Sequence, residues 1–204
     1  MKTDVLICRD CLGPVEEDNG NFVLQICSSC NEQMLIEEGD IFMEKFTFFW
    51  QDQSPFSQFH PTLFKLGDLL FTCAEQYMMF KKAEMMGDKA TAAEIMATPY
   101  NPKRYKALGR QVKPFNKELW DKKCKDVVYQ GNFLKFTQNP KLLHALYETA
   151  GTTLVEASPF DAIWGIKLGP DHPDRFDRSK WKGKNWLGEV LTQLRTDLMT
   201  GERV

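Results

Sequence analysis

The 204-residue chain is 43% hydrophobic and 26% charged, with 26 Lys and Arg against 28 Asp and Glu and a formal net charge of -2. That is a globular balance, so whole-chain disorder is excluded, and no apolar run approaches the ~18–20 residues that span a bilayer. The start, MKTDVLICRD, carries no long apolar stretch of the signal-peptide kind, so a cytoplasmic protein with no membrane partner is expected.

Four of the six cysteines fall within the first 30 residues. Cys8, Cys11, Cys27 and Cys30 read C-x2-C, fifteen intervening residues, then C-x2-C. Each pair brings two thiolates to one centre, and the two pairs together supply the four soft ligands of a tetrahedral structural zinc site. Turn signals at Gly13-Pro14 and Asp18-Asn19-Gly20 precede a short strand expected over Phe22–Ile26, the pattern of a zinc ribbon. Two disulfides are the alternative, with nothing in the chain pointing to an oxidising compartment. Residues 1–40 contain Lys2 and Arg9 against nine acids, a net of -7, whereas the rest holds 24 basic and 19 acidic side chains. Phosphate binding needs positive charge. The ribbon is therefore expected to act as a cap or as the docking surface of a protein partner. So small a unit depends on its metal to stay folded. Chelation is expected to melt residues 1–40 and leave the remainder folded. Limited proteolysis reads this directly, and unchanged cleavage of the segment would count against it.

Residues 41–204 read as a second, mainly helical domain. Phe46–Trp50 is an apolar strand candidate, followed by a loop from Gln51 to Pro61. Leu69-Leu70-Phe71 leads into a helix over about 72–86, stopped at Gly87. Asp88 caps a helix over 89–97 that ends before Pro99. Another helix is expected over 102–108, and a long one follows Pro114 towards Phe136 with Gly131 as its weakest point. Pro140 opens a helix to about Thr149, residues 152–156 form a β-branched strand, and a last helix spans 186–198. Cys73 and Cys124 fall in these patterns as buried free thiols. The three histidines are scattered, so no His-rich metal centre is expected.

Four groups of polar residues stand where a core would not want them. Glu75 and Lys82 share one face of a helix that is otherwise apolar nearly all round, about 10 Å apart along its axis. A solvated stripe is the bland reading of such a pair, and the apolar neighbours Tyr77, Met78 and Phe80 argue against it. Glu156 ends a strand, and Asp161 sits in a Pro-started turn before Trp164-Gly165, where it could simply cap a turn. Gly183-Lys184-Asn185 enters the last helix, and free amides there would suit a phosphate. Residues 102–125 hold nine basic and two acidic side chains with Trp120 among them, either a nucleic-acid surface or the solvated side of two helices.

In this order, the segments Ser54–Phe59, Ala74-Glu75-Gln76-Tyr77 with Lys82, Leu108-Gly109-Arg110, Trp120, Lys135-Phe136, Leu154-Val155-Glu156, Asp161 with Trp164-Gly165, and Gly183–Gly188 resemble the NADAR, or YbiA-like, family. The resemblance covers roughly residues 46–198 and omits the ribbon. Gln58 stands where Asn is familiar, and Gln76 where His is usual. The resemblance implies a multihelical fold with a few short strands that cleaves N-glycosidic bonds to ribose. It points first to removal of ADP-ribose from guanine in nucleic acid. The alternatives are cleavage of a phosphorylated ribosylamino-pyrimidine of the riboflavin pathway, or non-catalytic sensing of NAD or ADP-ribose. Lys82 would be the amine that attacks ribose C1, with Glu75, Glu156 and Asp161 holding the sugar or moving protons. Ser57, Phe59, Arg110, Trp120, Trp164, Gly165, Lys184 and Asn185 would bind substrate. Catalysis of this kind needs no cofactor, and the zinc would be structural.

Overall fold

The computed structural model describes residues 44–201, together with the backbone of three short strands before them. The chain divides into two compact units, residues 1–45 and 46–204. In the first, β1 (Val15–Glu16), β2 (Leu24–Cys27) and β3 (Gln33–Leu35) form an antiparallel sheet in that order. Cys8, Cys11 and Cys30 lie outside the described residues, and only the backbone of Cys27 is described, so the expected zinc ligands are not defined.

The second unit is mainly helical, as expected. It comprises β4 (Phe46–Phe49), the hairpin β5 (Phe64–Leu66) and β6 (Leu69–Phe71), α1 (Ala74–Met85), α2 (Lys89–Ala97), α3 (Pro102–Gln111), α4 (Lys117–Thr137), α5 (Pro140–Tyr147), β7 (Thr153–Glu156) and α6 (Trp186–Thr200). The boundaries follow local chemistry. The side chains of Asp88, Asn101 and Asn116 each accept the amide of the residue three positions on, at 3.0 Å, so each satisfies one orphan N–H at a helix start. The hairpin differs from the sequence pattern, which leads residues 69–71 straight into α1. Its strands have three residues each and expose Leu66, Leu69 and Leu70, so no period-two pattern marks it. Cys73 and Cys124 are buried free thiols, although Cys73 caps α1 rather than lying inside it.

Strands β4 and β7, far apart in sequence, pair in parallel with Phe46 opposite Thr153 and Phe49 opposite Glu156. One face of this ribbon joins the helical core through Phe49 and Leu154, and the other packs Val155 on Ile166 and Leu168. Helix α1 runs through the core with Tyr77, Met78, Met79, Phe80 and Ala83 all buried. Gly131 is not a weak point of α4. A Cβ there would lie 2.6 Å from the Tyr77 ring, so the missing side chain is what lets α4 cross α1 closely. Among the described residues no helix is long and apolar enough to cross a membrane.

Candidate active site

Because the first two turns of α1 are buried, Glu75 at its start is only 5% exposed. Burial pushes its carboxyl up to about 7, against the nearby cations Lys106, Arg110 and Lys82, while the Asp161 charge adds to the rise. Glu156 reaches the same place from the end of β7. Its carboxyl is pushed up to about 8, first by burial and then by Asp161 and Glu75, and its Oε2 is buried with no hydrogen-bond partner. Two buried carboxyls, both pushed up towards neutrality, thus share one electrostatic environment.

Lys82 lies two turns along α1 from Glu75. Its ammonium donates to the Gly109 carbonyl at 2.7 Å and lies over the rings of Phe115 at 4.5 Å and Trp120 at 5.5 Å. Burial lowers its pKa, with Glu75 opposing and Arg110 reinforcing the change. Burial thus gives Lys82 a larger share of free amine than a lysine in water, although the aromatic faces and the Gly109 carbonyl themselves favour the ammonium. Gly109 makes this contact possible, since a side chain there would collide with the Met79 thioether and hold α3 off α1.

Asp161 has two separable jobs. One carboxylate oxygen accepts the amides of Ile163 at 2.9 Å and Trp164 at 2.8 Å, so it does cap the turn. The other oxygen faces the Lys106 ammonium at 3.7 Å, which ties the turn to α3 and to the carboxyl cluster. Lys106 also lies over the Phe59 ring at 5.9 Å, so it connects the 51–61 loop to the same site. Neither Lys106 nor Phe115 is singled out by the sequence motifs. A usable signal exists for the first: Lys106 and Arg110 stand four residues apart on α3, one turn on one face.

Several of the expected substrate contacts are engaged within the fold. Asn185 is fully buried in a left-handed conformation (φ 51°), accepting the Glu156 amide at 3.0 Å and donating to the Leu154 carbonyl at 2.9 Å. It locks β7 to the start of α6 and places Glu156, so it is a positioning residue. The amides of Lys184, Asn185, Trp186 and Leu187 donate to the carbonyls of Ala162, Gly165, Ile163 and Trp164 at 3.0–3.2 Å. None of these four amides remains free for a phosphate, which overturns that expectation for the Gly183-Lys184-Asn185 segment. Gly183 and Gly188 are small because a Cβ would strike the carbonyls of Gly165 and Leu154 respectively. Lys184 itself is exposed and holds its ammonium over the Trp186 ring at 4.7 Å. Trp164 meets Trp186 edge to face at 5.8 Å. Gly165 packs where a Cβ would lie 2.8 Å from the Glu156 carbonyl oxygen. The Ser57 hydroxyl accepts the Phe59 amide at 3.1 Å, and the buried Lys135 donates to the carbonyls of Pro55 at 2.6 Å and Ser57 at 2.9 Å. Gln76, in the place of the usual His, accepts from the Thr72 amide and donates to the Ile95 carbonyl, a purely structural use.

The fold thus brings together Glu75, Lys82, Arg110, Trp120, Glu156 and Asp161, with Lys106 among them. Residues 47–199 match the model of the NADAR domain. The chain is 40% identical over 171 residues to Protein irg-1 of Caenorhabditis elegans, covering 76% of this chain and 80% of that one. It is 45% identical over 147 residues to N-glycosidase R617 of Acanthamoeba polyphaga mimivirus, covering 70% and 86%. The NMR structure of the Escherichia coli protein YbiA is similar with a TM-score of 0.64 and 27% identity, over 78% of this chain and 88% of that one.

Proposed function

The chain belongs to the NADAR domain family, and from that premise we propose that it is an N-glycosidase hydrolysing the bond between a ribose carbon and a base nitrogen, with ADP-ribosylated guanine in nucleic acid as substrate. The observation that supports this reading is the gathering of two buried carboxyls, Glu75 and Glu156, with Lys82, burial pushing the carboxyls up and the ammonium down. The Lys82 amine attacks ribose C1, the C1–N bond breaks, and its electron pair leaves with the base. A carboxyl proton neutralises the departing nitrogen. Glu156 is assigned as the donor, because its carboxyl is pushed up further than that of Glu75, to about 8. Ring opening gives a Schiff base on Lys82, which water then hydrolyses to release the sugar and restore the amine. Lys106 and Arg110 supply positive charge beside the carboxylates, where a diphosphate can approach. Both belong to the basic stretch 102–125, whose charge favours a nucleic-acid substrate over a small metabolite.

Incubation with ADP-ribosylated guanine in DNA, with a phosphorylated ribosylamino-pyrimidine, and with ADP-ribose alone separates the readings. Release from the first is expected. Release only from the second, or binding without release, would replace the proposal.

The pH dependence is a second check. Below the lowered pKa of Lys82 the amine is protonated and cannot attack, so the rate falls towards acid. Above about 8 Glu156 loses the proton it must donate, so the rate falls again towards alkali. Glu156→Gln is expected to cut the rate by about 10²–10⁴-fold and to remove the alkaline limb from what remains. A residual profile that keeps the limb near 8 would assign the proton to another group.

A further inference from the structure

Beyond the carboxyl cluster, the carboxyl ends of β4 and β7 open onto a cavity of about 650 Å³, lined by Phe48, Trp50, Gln51, Ala157, Pro170 and Arg175 among others. None of the three carboxylates lines it, yet it adjoins them in sequence and space, since Ala157 follows Glu156 and Phe49 is paired with Glu156. Three features stand out there. Phe160, immediately before Asp161, is 85% exposed, with its ring centre 6.4 Å from that of Trp50. Arg175 holds its guanidinium between the rings of Phe48 at 4.8 Å and Phe176 at 4.6 Å, and its Nε is buried without a hydrogen-bond partner. Gln51, on the cavity wall, adopts a left-handed φ of 65°, uncommon for a residue of its kind and typical of backbone held for a functional reason.

A single exposed phenylalanine means little. Here the exposed ring directly precedes Asp161 and stands against Trp50, which lines the cavity. An arginine held between rings, with its Nε unsatisfied, forms part of the wall. Aromatic faces offer stacking to any base, and a guanidinium fixed between rings is preorganised for phosphate. We propose that Phe160, Trp50 and Arg175 form a subsite for the nucleotide adjoining the modified one in single-stranded nucleic acid, the rings stacking on its base and Arg175 binding its phosphate. The subsite rests on the nucleic-acid reading of the active site and deepens it. It selects a strand over a free nucleoside and an unpaired strand over a duplex, because stacking on Phe160 requires a base face that is not already covered.

The test uses the full chain and a fluorescein-labelled, unmodified single strand of about eight nucleotides, a length within the range covered by one such platform. DNA and RNA strands are titrated in parallel by anisotropy at several salt concentrations. Phe160→Ala is expected to weaken binding about tenfold, the loss of one base–ring stack. Arg175→Gln is expected to lower the salt slope by about one, the loss of one phosphate contact. Phe160 is exposed, so its variant should melt as the wild type does, and the effect can be read without a folding artefact. Failure of the wild type to bind either strand, or unchanged affinity in both variants, overturns the subsite. Glycosidase activity is scored separately on the wild type. Weakened binding by the variants of an inactive protein would leave the subsite standing and remove the enzymatic reading instead.

Discussion

Lys82→Ala is expected to abolish turnover, on the order of 10⁴-fold or more, while the protein stays folded. The two halves of this result have separate causes. Chemically, the Lys82 amine forms the imine with the sugar, which neither the carboxyls nor the arginine can do, and the ammonium of Lys106 is already engaged by the Asp161 carboxylate. Structurally, Lys82 is partly buried at the surface of α1 and is held by the Gly109 carbonyl. Alanine favours the helix, and the loss of that bond costs about 1 kcal/mol. Lys82→Arg makes the sharper control: it keeps the positive charge over Phe115 and Trp120 but cannot form the imine, so it should be as inactive as the alanine variant. Borohydride added during turnover should trap a covalent sugar adduct on the wild type, seen as a mass increment on the peptide containing Lys82. Full activity in Lys82→Ala together with no trapped adduct would dispose of the nucleophile.

The largest structural effect is expected at Asn185, a residue whose motif first suggests ligand binding. Asn185→Ala leaves the Glu156 amide and the Leu154 carbonyl without their buried partners, at about 1–3 kcal/mol each, and asks a β-carbon residue to hold φ 51° without a compensating side chain. A loss of about 3 kcal/mol lowers the melting temperature by roughly 6–12 °C in a chain of this length. Asn185→Asp keeps the acceptor for the Glu156 amide and loses the donor to Leu154, so it should fall between the two. Because the same side chain positions the strand end that carries Glu156, activity at a temperature where Asn185→Ala remains folded should fall through kcat more than KM. A melting temperature within about 2 °C of the wild type would mean that the clamp is not needed.

Local signals make much of the helical framework legible in the amino-acid sequence. Asp88, Pro102 and Pro140 mark helix starts because capping and the fixed φ of proline act within one turn. Glu75 and Lys82 stand out for a related reason: a helix apolar nearly all round leaves few neutral places for polar residues. The β5–β6 hairpin is hidden because three-residue strands with exposed leucines carry no alternation. The Gly183–Gly188 segment misleads for the opposite reason. Its composition matches an anion-binding helix start, but whether those amides are free depends on the loop of Ala162 to Gly165, well before it in the chain, which takes them.

The helical class, most helix starts, the division of charge between an acidic start and a basic remainder, and the candidate residues Glu75, Lys82, Glu156 and Asp161 all follow from the chain alone. These properties are set by neighbours within a few positions or by simple sums. Packing settles the rest: which of those residues share one electrostatic environment, that Lys106 stands among them, that Asn185 clamps the strand, and that burial pushes two carboxyls up towards neutral pH. Each of these depends on burial and on pairings as remote as that of Phe49 with Glu156, and desolvation is a property of the packed chain that no local stretch of sequence carries.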